Sequence, residues 1–229
     1  TILSGVDDDV GRARGAALID EGIEVVTDAQ LLGVAHDETG KTVWVMKDGR
    51  ERSYVGAEIL QALGRQPNLE GLRLDLAEVT VDEGRIMVDG SMRTSQVHIY
   101  AVGDVNALTP IVHLAIQQGE IAGYNAAHVG QPTKMIDHRL ETEVVFTDPQ
   151  VAVLGLNETR AKSEGIPYLS ASYLFADHGK ALCLGSAQGF VKLLAAPQTG
   201  EILGAQIVGP EAGELIHELT AVMYYRGTV

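Results

Sequence analysis

Two acidic-glycine dipeptides, Asp48-Gly49 and Glu83-Gly84, each stand between short runs of strand-forming residues. A two-residue connection needs positive φ at both positions, which such residues tolerate, and it forces its flanks into an antiparallel hairpin. Thr42 to Lys47 and Glu51 to Val55 flank the first dipeptide, and Val79 to Asp82 and Arg85 to Val88 flank the second. Leu31 to His36 precedes the first hairpin and extends it to a small meander. A helical pattern with Val10, Ala13, Ala17 and Leu18 on one stripe comes earlier and closes at Gly22. Asp7-Asp8-Asp9 at its start suits the positive end of the helix dipole, a better account of the triplet than metal binding. The apolar run Ile23 to Val26 reads as a strand.

Gly64-Arg65-Gln66-Pro67-Asn68 is a loop, because Pro67 blocks strand continuation, and it marks a crossing between domains. The apolar run Val97 to Val102 reads as a strand ending in Gly103-Asp104. Thr109 is then expected to cap a helix with Pro110 in its first turn, running to about His128. Gly119 and Gly123 share one face of it, where a neighbouring backbone could approach closely. After a linker at Gln131-Pro132, strands are expected at 143–146, 151–154, 168–175, 190–195 and 202–208. A short helix spans Glu158 to Glu164, and a last helix from Glu211 carries Leu215, Ile216, Leu219, Val222 and Met223 on its apolar side. This final stretch reads as an α+β unit with an antiparallel sheet.

Lys and Arg number 17 against 31 Asp and Glu, a formal charge of −14. A field of that sign repels phosphate backbones and anionic lipid, so neither nucleic acid nor membrane is an expected partner. Cys183 is the single cysteine, so the chain can form no intrachain disulfide, and the residue reads as a structural thiol. No run is long and apolar enough for a spanning helix, and the expected location is cytoplasmic. The first residue is Thr1, and Thr1-Ile2-Leu3 reads as the end of a strand, so the sequence is expected to be a portion of a longer polypeptide. The seven histidines lack zinc-helix spacing and cysteine company, no Gly-x-Ser-x-Gly elbow occurs, and no carboxylate pair is singled out. Gly103-Asp104 is the local feature that stands out. A glycine-aspartate after an extended run, just before a helix start, is a good way to present an acceptor to ribose-like hydroxyls while backbone N–H groups face an anionic group, with an ordinary turn as the alternative reading on local grounds.

Five segments carry a family resemblance in order: ALGRQPNLEGL (62–72), GRIMVDGSMRTSQVHIYAVGDVN (84–106), HLAIQQGEIAGYNAA (113–127), VVFTDPQVAVLGLNE (144–158) and GFVKLLAAPQTGEILGAQIVGPEAGELIHE (189–218). Together they resemble the flavin-dependent pyridine nucleotide-disulfide oxidoreductases, most closely their dihydrolipoamide dehydrogenase branch. The resemblance implies α/β and α+β architecture: residues 1–62 as the C-terminal half of an NAD(P)-binding domain, 63–131 as the return segment of an FAD-binding domain, and 137–229 as an interface domain truncated at its C-terminus that forms a homodimer. It implies FAD, and NAD or NADP, as cofactors of the parent enzyme and a disulfide or metal ion as its substrate. By resemblance, Asp104 contacts the ribityl and pyrophosphate region of FAD, with Gly103 supplying the turn. Ile111, Val112, His113 and Ala115 lie where family backbone N–H groups face the flavin pyrimidine edge, with His113 serving packing rather than proton transfer. Gly64 and Arg65 fall near the dinucleotide, with a structural turn as the alternative account of both.

The family's glycine-rich fingerprints and redox cysteine pair lie N-terminal to anything in these residues, as does the residue that selects NAD or NADP, unless Ser4 is close to it. The acid-base His-Glu pair lies beyond the last residue, and His217 is an ordinary helical residue rather than that histidine. No catalytic residue and no metal ligand is therefore assigned, and the chain alone is expected to lack disulfide turnover. A mercuric reductase-type or transhydrogenase-type flavoprotein is the alternative parent, and a noncatalytic dimerisation fragment that binds no flavin is the alternative of another class.

Overall fold

The computed structural model describes every residue except 1, 4 and 39, so the Ser4 reading and Thr1 of the opening strand lie outside the described residues. Two compact units make up the chain, one from residues 1–62 and 142–229, the other from 63–141. Helix α1 (Asp8–Asp20) opens the first unit, with Glu21 as its C-cap and Gly22 beyond it at φ 86°. Ile2 and Leu3 form no strand, and Leu3 has φ 60°. The run Ile23 to Val26 is not a strand either, since it finds no ladder partner among the described residues. Strands β1 (Gln30–Asp37), β2 (Gly40–Lys47) and β3 (Arg50–Gly56) then form the expected antiparallel meander. Lys47 pairs with Arg50 across a turn in which Asp48 and Gly49 have φ 53° and 71°, as the hairpin geometry requires.

In the second unit, β4 (Val81–Asp82) and β5 (Arg85–Ile86) form the other hairpin, turning through Glu83 and Gly84 at φ 47° and 75°. Two small cores fill this unit. One gathers Leu69, Leu74, Val88, Ile99 and Val105 around Val79, Ile86 and Ala101; the other packs Tyr100 against Met92, Ile121, Ala122 and Ile136. The segment 97–102 is not the ladder strand expected. It turns back on the preceding residues instead, with Tyr100 bridged to Arg93, and with Thr94 N–H donating to the Ile99 carbonyl and Ala101 N–H to that of Met92. Helix α2 (Val112–Ala127) starts later than expected. Ile111 N–H closes a tight turn onto the Thr109 carbonyl at 2.8 Å, which leaves Thr109 and Pro110 ahead of the helix and Ile111 as its N-cap. A Cβ added at Gly119 or Gly123 would meet nothing within 4 Å, so among the described residues no backbone exploits those glycines.

The first unit resumes with β6 (Thr142–Val145), β7 (Gln150–Gly155), α3 (Glu158–Glu164), β8 (Leu169–Leu174), α4 (Gly179–Cys183), β9 (Phe190–Ala195), β10 (Ile202–Gly209) and α5 (Ala212–Tyr224). The five strands form one antiparallel sheet ordered β6-β7-β10-β9-β8. Their ranges and that of α3 follow the sequence reading closely. Helix α4 was not foreseen, and Cys183 at its end is exposed rather than part of the core. Alternation along β10 sorts the two faces. Ile207 pairs with Ala152, which pairs with Val144, and the backbone of Gly213 in α5 sits against Val144, so α5 covers that face. Val208 points the other way, and with Val151 and Phe190 it receives Val10 of α1. Two residues along the same face, Gln206 lies directly opposite Lys192.

Candidate functional site

The Gly103-Asp104 turn is set by a buried polar network. Gly103 and Asn106 belong to a single 3-10 turn, Gly103–Asn106, and both are buried. Gly103 N–H donates to Gln118 Oε1 at 2.7 Å, and Asn106 Nδ2 donates to the same oxygen at 2.9 Å and to the Ala101 carbonyl at 3.2 Å. Asn106 Oδ1 accepts from Leu108 N–H at 3.1 Å. Gln118 and Asn106 are each 1% exposed, so these bonds lie out of water, where leaving one unmade is costly. Gly103 has φ 72°, and a Cβ there would lie 3.2 Å from the Ala115 Cβ, so both backbone sterics and the α2 neighbour favour glycine. The network therefore fastens the turn to α2 two helical turns beyond its start.

The carboxylate of Asp104 remains half-exposed, with the Arg65 guanidinium 3.4 Å from its Oδ2. The same Arg65 Nη2 donates to the Pro110 carbonyl at 2.8 Å. Arg65 thus lies between Asp104 and the segment leading into α2, a juxtaposition that separation in sequence conceals. Gly64 beside it has φ 95° and open space around it, as a turn glycine would. No side chain caps the first turn of α2. Val112 and His113 are exposed there, Ile111 and Ala115 are half-buried, and Leu114 faces the core. An acceptor carboxylate, an arginine and a helix N-terminus thus converge within one unit. Such a donor and acceptor set can hold a group that carries both hydroxyls and partial negative charge.

Gln118 and Asn106 were not singled out from sequence, although a signal existed for the former. The buried residues of α2 are Leu114, Gln118, Ile121, Ala122 and Asn125, so Gln118 is one of two polar residues on a largely apolar stripe. Asn125 on the same stripe is likewise occupied, donating to the Ser91 and Lys134 carbonyls and accepting from Lys134 N–H. Among the described residues no cluster of His, Cys, Asp or Glu could hold a metal ion, and no helix is long and apolar enough to cross a membrane.

Two family models match the chain: pyridine nucleotide-disulphide oxidoreductase over residues 1–119, and the dimerisation domain of the same family over residues 142–229. The dihydrolipoyl dehydrogenase of Mycobacterium tuberculosis is 38% identical over 220 residues, covering 95% of this chain and 47% of that protein. That of Geobacillus stearothermophilus is 36% identical over 219 residues, with 95% and 46% covered. The crystal structure of LpdA from Mycobacterium tuberculosis superposes with a TM-score of 0.85 at 28% identity, over 100% of this chain and 49% of that one. The flavoprotein disulfide reductase RclA from Escherichia coli, at 23% identity and a TM-score of 0.81, shares the fold. The chain spans about half the length of the curated relatives it matches. From its first helix to its five-stranded sheet, it belongs to the pyridine nucleotide-disulphide oxidoreductase family.

Proposed function

We propose that this chain is the flavin-return and dimerisation portion of a dihydrolipoyl dehydrogenase-like enzyme that moves electrons between NAD(P)H, FAD and a dithiol or disulfide. In this reading residues 1–62 contribute to the pyridine nucleotide domain, 63–131 to the FAD domain and 137–229 to a homodimer interface. The observation that carries it is the Gly103-Asp104 turn, locked to α2 through Gln118 and Asn106 so that an acceptor stands beside an uncapped helix start.

FAD fits this arrangement. Its ribityl and ribose hydroxyls suit the Asp104 carboxylate, and the N-terminal N–H groups of α2 suit the edge of the ring that becomes negative on reduction. Flavin, when bound, supplies the electron relay between nucleotide and disulfide. This chain's residues hold and orient: Asp104 accepts hydrogen bonds from hydroxyls, Gly103 lets the backbone turn, Ile111 to Ala115 present the helix start, and Arg65 steadies the loop from Gly103 to Pro110. The single cysteine means that a redox cysteine pair is not within these residues.

A split-enzyme experiment tests the reading. The chain is co-expressed with the N-terminal half of the Geobacillus relative, and the purified complex is assayed for flavin absorbance. Flavin retained with the wild-type chain and lost with Asp104→Ala supports the proposal. Equal retention by both refutes the role of Asp104, and no flavin in the wild-type complex refutes the assignment of the chain as half of a flavin site.

A further inference from the structure

The acidic triplet before α1 does something other than complement its own helix. Asp7 is the N-cap residue of α1 by position, yet its carboxylate makes no cap bond there. It turns instead to α3, where Asp7 Oδ1 accepts from Thr159 N–H and Thr159 Oγ1, both at 3.0 Å, and Oδ2 accepts from Glu158 N–H at 3.2 Å. Asn157 caps the next amide, accepting from Arg160 N–H at 2.8 Å while its own Nδ2 donates to the Gly5 carbonyl at 2.7 Å. The first three orphan amides of α3 are thus satisfied, two of them by a residue about 150 positions earlier. Lys192 completes the joint from the sheet. Its side chain is 2% exposed, and the ammonium lies 2.7 Å from Asp7 Oδ2, 2.7 Å from Asp9 Oδ1 and 3.6 Å from Glu158 Oε1. Gln206, opposite Lys192 on β10, donates from Nε2 to Asp7 Oδ2 and accepts from Asp7 N–H. Burial alone would raise the Asp7 carboxyl, but Lys192 and the Thr159 and Glu158 amides outweigh it and lower it to about 2.

Apolar packing shares in the attachment of α1. Val10 and Ala17 are its buried apolar side chains, and Val10 enters the core of Val151, Phe190 and Val208, against which Ala13 of the helix and Leu3 and Val6 just before it also pack. An ammonium taken out of water and shared among carboxylates is held firmly only while every partner is present.

We infer that Lys192, Asp7 and Asp9 form an ionic latch by which the dimerisation sheet fixes helix α1, so that cutting the latch releases α1 and the start of α3 while the sheet stays folded. The latch crosses the boundary between the two family matches, since Asp7 and Asp9 belong to the nucleotide-oxidoreductase region and Lys192 to the dimerisation domain. It gives the dimerisation domain a rigid hold on the nucleotide-domain segment, independent of whether Asp104 contacts flavin.

Amide hydrogen exchange on the whole chain tests this with Lys192→Met and Asp9→Asn. Lys192→Met is expected to speed exchange about tenfold or more in α1 and at the first amides of α3, with β7 and β10 nearly unchanged. Asp9 is partly exposed, so Asp9→Asn leaves a foldable chain and should speed exchange in α1 about threefold. Should Lys192→Met fail to fold, Asp9→Asn decides alone. Unchanged exchange in α1, or a uniform rise across helix and sheet, overturns the inference.

Discussion

Replacing Gln118 by Met keeps the length of the side chain and removes the oxygen on which the Gly103 turn hangs. Two donors lose an acceptor. The Gly103 N–H is buried and its bond to Gln118 Oε1 is 2.7 Å long, so leaving it unmade costs about 1–3 kcal/mol. Asn106 Nδ2 keeps its bond to the Ala101 carbonyl and loses the other, a net loss of about 1 kcal/mol. Removing a buried amide from the helix stripe returns part of this, and the expected net destabilisation is about 2–3 kcal/mol. It should be confined to the unit of residues 63–141. The lone tryptophan, Trp44, sits in β2 of the other unit and does not report on it, so the assay is amide exchange under increasing urea, read at residues 99–125. Gln118→Met, Asn106→Ala and the double variant close a cycle, and the shared bond should appear as a coupling of about 1 kcal/mol. A loss below about 0.5 kcal/mol, or strictly additive effects, would refute the claim that this network holds the turn.

Gly103→Ala combines a positive φ with a close Ala115 neighbour, and urea unfolding should show a loss of about 1–2 kcal/mol with exchange quickened at the same turn. Gly204→Ala places its Cβ on the Leu156 backbone, which cannot yield as a side chain end could; circular dichroism should show the five-stranded sheet weakened by more than about 3 kcal/mol. Asp7 yields a signed pH dependence. Its folded pKa of about 2 lies below its ordinary 3.8, so the stabilisation, about 2 kcal/mol at 1.36 kcal/mol per pH unit, is fully present above pH 3.8 and lost as pH falls toward 2. Acid titration of Asp7→Asn should lack that limb, and an unchanged acid limb would contradict the buried pairing.

Both hairpins were legible because Asp48-Gly49 and Glu83-Gly84 encode their turn geometry locally, and α3 because Gly165 marks its end, whereas its N-cap Asn157 is a finding of the structure. The strands of the five-stranded sheet were legible from short apolar runs bounded by turn residues. Local signals misled where pairing decides. Val97 to Val102 has strand composition, but its neighbours fold it back on Met92 and Arg93, and Ile23 to Val26 finds no ladder. Thr109-Pro110 has the chemistry of a helix start, yet a tight turn at Ile111 intervenes. At the candidate site, Gly103, Asp104 and the residues opening α2 were named from motif resemblance, whereas their fastening by Gln118 depends on a contact 15 residues away. The ion cluster was out of reach for the same reason, since Asp9 and Lys192 are 183 positions apart and the triplet's local reading sufficed without it.

The central claim is that the Gly103-Asp104 turn and the start of α2 form one flank of a flavin site. Backbone amide chemical shifts of the labelled chain, followed while FAD is added to millimolar concentration, test it even for weak binding. The account predicts saturable shifts concentrated at Gly103, Asp104 and Val112 to Ala115, and their loss in Asp104→Ala. Shifts centred on the β1–β3 meander, or none at all, would contradict it.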